Sequence, residues 1–185
     1  AQGQNSQVAH MVISANLAAA EDYAGLLERE SGKAGIGPWV DGLVKGWAHL
    51  GLGDMTSALA EFDTLAKEPG IKSFVMYHKA LALASVGDFE AAEAIFASDA
   101  AGAAGQTRRG TIAHADVLAQ LGKIDDAVAL INTSFPEGTD PELDALIAGY
   151  QSGTAEPFTF VRGAKDGIAE VFFTFAAVLK SESAG

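Results

Sequence analysis

Three glycines govern what this chain can fold into. Gly53, Gly87 and Gly122 recur 34 and then 35 residues apart, and the same residue types return around each. A small residue stands seven positions before each glycine (Gly46, Ala80, Ala115). An alanine stands five after it (Ala58, Ala92, Ala127), and a large apolar residue four further on (Phe62, Phe96, Ile131). Between these marks apolar residues recur at threes and fours. In the stretch from Phe74 to Phe96, Phe74, Tyr77, Leu81 and Ala84 form one helical stripe; Phe89, Ala92, Ile95 and Phe96 form another beyond the breaker Gly87-Asp88. Such a helix–turn–helix cannot bury both faces alone, so it has to stack on copies of itself. The small residues let paired helices approach, and the large ones fill the space between pairs. The fold class predicted is all-α.

The period and its skeleton resemble the tetratricopeptide repeat. Ala58-x3-Phe62 and Ala92-x3-Phe96 match the family's second helix, and Pro69 falls near its closing proline. His49, Leu83 and Leu118 stand where the family has tyrosine, and the Gly87 unit has no closing proline. A degenerate unit precedes these, with Asp22-Tyr23 in the place of Asp88-Phe89 and Val8, Met11, Ala15 and Ala18 as its first stripe. The resemblance covers residues 6–139. It implies a right-handed superhelical solenoid of antiparallel helix pairs, with units at about 6–36, 37–71, 72–106 and 107–139 and extra C-terminal helices over 140–185. The wording YHKALALASVGDFEAAEAIF and DGIAEVFF is also similar to an internal segment of longer alphaproteobacterial repeat proteins. That likeness implies no biochemical activity, and it leans toward periplasm over cytoplasm because such proteins often look exported.

The formal net charge of −12 argues against nucleic acid and anionic membrane surfaces as partners, since a phosphate-binding face needs clustered Lys and Arg. Solubility accounts for the acidity. With no cysteine there is no disulfide and no thiolate chemistry. No apolar run approaches the ~18 residues that span a bilayer, so membrane insertion is not expected.

Along the chain, the first helix is expected over Ser6–Ala20 after a polar 1–5, and its partner over Asp22–Ser31. Gly32–Gly37 reads as a turn, with Pro38 at the first position of the next helix. That helix carries Val40, Leu43, Val44, Trp47 and Leu50; its partner carries Met55, Leu59, Phe62 and Leu65 up to the Pro69-Gly70 stop. The stretch AGAAGQTRRG reads as a flexible linker, because it lacks the G-x4-G-K-[ST] order of a phosphate cradle. Arg108-Arg109 opens a helix against its macrodipole and reads as a solvated pair. Pro141–Tyr150 reads as a short helix and Pro157–Val161 as extended. Asp166–Lys180 carries a wide stripe of Ile168, Val171, Phe172, Phe175, Val178 and Leu179. It is expected to be the first helix of a further unit in a longer array; the alternative is a cap folded back on the preceding repeats.

Chemistry-bearing patterns are sparse. His10, His49, His78 and His114 form no H-E-x-x-H pair, and no serine lies in G-x-S-x-G. His78 and His114 fall at similar points of successive helices and read as hydrogen-bonding core or groove residues rather than metal ligands. Asp54 and Asp88 read as helix N-caps; Asp125-Asp126 and Glu28/Glu30 read as exposed carboxylates. No enzyme, cofactor or metal is expected. The resemblance implies a concave face built from first helices: Leu43 and Trp47, then Phe74, Tyr77, His78 and Leu81, then Arg109, Ile112 and Asp116. Tyr77 and Arg109 are expected to be exposed there, while Trp47, Phe74 and Leu81 serve equally well as core. Of the family's carboxylate clamp only Arg109 is preserved, so the expected partner is an apolar or helical protein segment. The alternative is a structural spacer whose groove is filled by its own segments, such as Phe158–Val161.

Overall fold

The computed structural model describes residues 7–30, 35–98, 100–154 and 157–183. Among them run helices alone: α1 (Gln7–Ala19), α2 (Tyr23–Glu30), α3 (Pro38–Gly51), α4 (Met55–Leu65), α5 (Lys72–Ser85), α6 (Phe89–Phe96), the single turn α7 (Gly102–Gly105), α8 (Arg108–Gln120), α9 (Ile124–Ser134), α10 (Pro141–Ser152) and α11 (Ala164–Ser183). The polar 1–5 segment, the Gly32–Ala34 part of the expected turn and the side chains of Glu30, Val178 and Leu179 lie outside the described residues. No described helix is long and apolar enough to cross a membrane.

One backbone closure recurs wherever a first helix ends. The amides of Asp54, Asp88 and Lys123 return to the carbonyls of His49, Leu83 and Leu118 at 2.9, 3.0 and 2.9 Å. Between them Gly53, Gly87 and Gly122 take φ of 78°, 84° and 73°, the left-handed turn that glycine adopts without strain. The carbonyl that accepts at each closure belongs to the position where the resemblance expects tyrosine. The main chain makes the turn, so His, Leu and Leu serve there. The first pair closes alike without glycine, with Asp22 N on Leu17 O at 2.9 Å and Glu21 at φ 58°. The closure at the end of α10, Thr154 N to Gly149 O at 3.0 Å, goes beyond the expected set.

The second helices start as their sequence demands. Asp54 and Asp88 accept from the amides of Ser57 (3.0 Å) and Ala91 (3.2 Å), and Asp22 accepts from Gly25 (2.9 Å). Lys123 cannot cap; α9 instead carries Asp125 and Asp126 in its first turn, which favours its positive end.

The chain divides into two compact units, Ala1–Ile71 with Arg162–Gly185, and Lys72–Val161. In the first, α3 packs on α2, α4 and α11, and α1 on α2 and α11. Helix α11 thus folds back onto its own unit. Gly46 is small for the reason expected: a Cβ there would lie 2.5 Å from the Phe62 ring. The stripe of α1 holds at Ala18, which is buried, and at Met11 and Ala15, which are half-buried, but not at Val8, which is 68% exposed. His10 and Ser14 take the inward places beside Ala18, where Arg29 of α2 donates to His10 Nδ1 and to Ser14 Oγ (3.3 Å).

In the second unit α5 pairs with α6, α6 with α8, α8 with α9, and α9 with α10. Ala80, Ala92, Ala115 and Ala127 are fully buried, with Phe96 and Ile131 beside them in the core. The expected flexible linker is instead a packed turn. Ala101 and Ala104 are buried, α7 lies on α5 and α8, and a Cβ on Gly110 would meet the Ala104 carbonyl oxygen at 2.5 Å. Thr107 closes it by accepting the Gly110 amide at 3.0 Å, which caps α8.

Candidate functional site

The expected groove begins at Leu43 and Trp47 of α3, and both are fully buried. Trp47 meets the edge of Phe62 at 6.1 Å between centroids, with the ring planes at 73°. Above the indole lies α11, held so close that a Cβ on Gly167 would be 2.2 Å from Cδ2. Ile168 and Val171 of α11 are buried, and Phe175 meets Trp39 edge-on at 5.3 Å. Lys165 Nζ ties the start of α11 to the Ala19 carbonyl at the end of α1 (3.1 Å). At Trp47, the face read in the sequence as a partner surface is covered by a helix of the same unit.

In the second unit Leu81 and His78 are fully buried and Tyr77 is 3% exposed. The expectation that Tyr77 is exposed is therefore corrected. Its ring turns into the α5–α6 interface, edge-on to His78 (5.5 Å) and Phe96 (6.3 Å). Burial holds the His78 imidazole neutral, with its pKa lowered to about 3. His114 stacks flat on Phe96 at 5.0 Å, and its Nε2 lies 2.7 Å from Glu93 Oε2, with Lys123 Nζ at 3.7 Å from the other carboxylate oxygen. Burial lowers the pKa of His114, against the opposing pull of Glu93. Phe74 and Ile112 are half-buried.

The two arginines are not a solvated pair. Arg108 binds both oxygens of Asp140, at 2.7 and 3.1 Å, and reaches Glu142 at 2.8 Å. Its fork holds the Asp140 carboxyl below the usual range while Asp140 caps α10 through the amides of Glu142 and Leu143. Arg109 lies 4.7 Å above the centre of the Phe160 ring. Asp116 accepts a hydrogen bond from Tyr150 Oη, thirty-four residues on. Burial raises the pKa of Asp116, and burial with the facing carboxylate raises that of Tyr150.

Comparison with protein-family models, with curated proteins and with solved structures returns no match for this chain. Its own geometry is what bears on function.

That geometry separates the nine groove residues into two sets. Leu43, Trp47, Tyr77, His78 and Leu81 are core, whereas Phe74, Arg109, Ile112 and Asp116 keep partial exposure. A cavity of about 580 Å³ opens in the first unit beside Gly37, Asp41, Lys45, Glu61 and Glu68, and it contains none of the nine. The Asp41 carboxylate there is already occupied by the amides of Ile36 (2.9 Å) and Gly37 (3.2 Å). Among the described residues no three His, Asp or Glu side chains converge as a metal site would require. The contact that sequence reasoning missed is Gly167 on Trp47. Its signal was present, since a glycine inside an otherwise apolar helical stripe marks a close approach.

Proposed function

We propose that this chain is a non-catalytic helical-repeat module of tetratricopeptide type, a structural or assembly segment whose groove is filled from within. In this reading its helix pairs follow the right-handed superhelical order that the resemblance implies. The observation that carries it is the Gly167 backbone seated on Trp47, which leaves no room for a partner at that point. The buried ionisable groups support the same reading. Asp116 ties α8 to α10, and Glu93 ties α6 to α8 through His114. Each has a structural task.

The competing adaptor reading, in which a foreign segment lies on α3, needs α11 to leave. Hydrogen exchange on the intact chain separates the two. A filled groove gives α11 amides from Ile168 to Phe175 the same protection as those of α3, because both open in one event. Exchange of α11 that is orders of magnitude faster than that of α3 would mean an open groove and would favour the adaptor.

A further inference from the structure

Charged side chains that this fold draws inward are answered, with two exceptions. Among the described residues every buried or half-buried Asp, Glu, Lys or Arg has an interaction partner except Lys45 of α3 and Glu61 of α4. Both are half-buried, no ion pair joins them, and both line the cavity of about 580 Å³ in the first unit. The repeat register shows that helix packing does not require this pair. Lys45 stands eight positions before Gly53 and Glu61 eight after it. The same places hold Ile13 and Arg29 around Glu21, Lys79 and Ile95 around Gly87, and His114 and Leu130 around Gly122. His114 and Leu130 line a smaller cavity, about 320 Å³, and there the histidine is already engaged by Glu93. Only the Gly53 unit places a cation and a carboxylate in this cleft with neither bonded.

We propose that this cavity binds a free basic α-amino acid, with the ligand carboxylate on Lys45 Nζ and its α-ammonium on the Glu61 carboxylate. A charge drawn partly out of water is stabilised when an opposite charge hydrogen-bonds to it. One small molecule that carries both signs answers both side chains at once. The volume lies within the range of small-molecule sites, roughly 300–1,000 Å³. The balance of charge sets the side-chain preference. Asp41, Glu61 and Glu68 line the cavity against the single Lys45, and this negative excess favours lysine or arginine over glutamate. Asp41 contributes only its field, because its oxygens already accept the amides of Ile36 and Gly37. Exposed Glu68 is left for the side-chain cation of the ligand. The site is built from α3 and α4 apart from Trp47, so it stands whether or not α11 fills the groove.

The test is calorimetric titration of the full chain with L-lysine at constant ionic strength, beside L-lysinamide, Nα-acetyl-L-lysine and L-glutamate. L-Lysine is expected to bind saturably at one site. Lysinamide lacks the carboxylate and acetyl-lysine the α-ammonium, so each is expected to bind at least about ten-fold more weakly, and glutamate likewise. Lys45→Met and Glu61→Gln are each expected to weaken lysine at least about ten-fold, and Lys45→Met to abolish the preference for lysine over lysinamide. Lys79→Met, at the same place in the next unit, is expected to bind as the native chain does. No saturable binding of lysine by the native chain overturns the proposal. So does a native chain that takes lysinamide, acetyl-lysine or glutamate as tightly as lysine, a comparison that needs no variant to fold. Lys45→Met and Glu61→Gln that keep native helicity and native affinity overturn it as well, and an equal loss in Lys79→Met would place the binding elsewhere and overturn it too.

Discussion

The main chain of Gly167 rests on the indole of Trp47, with space for a hydrogen and nothing larger. Glycine inside an exposed helix normally gains about 1 kcal/mol on replacement by alanine. Here the sign reverses. Gly167→Ala is expected to destabilise the chain by about 1–3 kcal/mol through overpacking. Urea unfolding checks it, and a stabilised variant would remove α11 from Trp47.

Glu21 occupies, at φ 58°, the turn that glycine occupies at Gly53, Gly87, Gly122 and Gly153. A non-glycine residue in this region carries strain, partly offset by the greater freedom of glycine in the unfolded chain. Glu21→Gly is expected to stabilise by roughly 0.5–1 kcal/mol, seen as a higher Tm.

Acid should weaken the second unit through its histidines. His78 and His114 both have pKa values lowered by burial, so the unfolded chain binds protons that the folded chain refuses. Stability is then fully present above the unfolded histidine value of about 6.5 and is lost progressively below it. For His78 the loss continues down to about pH 3. A series of Tm values against pH should fall below neutrality, and His78→Leu should flatten that slope relative to its own neutral stability.

Asp116 works in the opposite sense. Burial raises its pKa in the fold, so its contribution is greatest below the unfolded carboxyl value and declines as pH rises through the folded one. The Tyr150 hydroxyl counteracts this by hydrogen-bonding the carboxylate. Tyr150→Phe should move the Asp116 titration further up, followed by the NMR shift of its carboxyl carbon, and should cost about 1–3 kcal/mol at neutral pH by leaving that charge underserved.

Local physics made much of the helix pattern legible. Glycine closures, aspartate caps and the Gly46–Phe62 contact follow from steric and hydrogen-bonding rules that act within one helix pair. Groove exposure was not legible, since whether Trp47 or Tyr77 meets solvent depends on what lies over it. For Trp47 that cover comes from residues more than a hundred positions away, which no periodicity connects. The arginines were misread for a related reason. Arg108 and Arg109 answer to Asp140 and Phe160, partners that a helix-start rule does not contain. The exposed end of α1 was hidden in the same way, because Val8 looks like core until Arg29 is seen drawing His10 and Ser14 inward beside Ala18.

The measurement that tests the account most directly is acrylamide quenching of Trp47 in a Trp39→Phe background of the intact chain. The account predicts blue-shifted emission and a quenching constant far below that of free indole, because α11 seals the ring. Emission near that of exposed tryptophan with ready quenching would mean that α11 leaves α3 open, and the filled groove would be wrong.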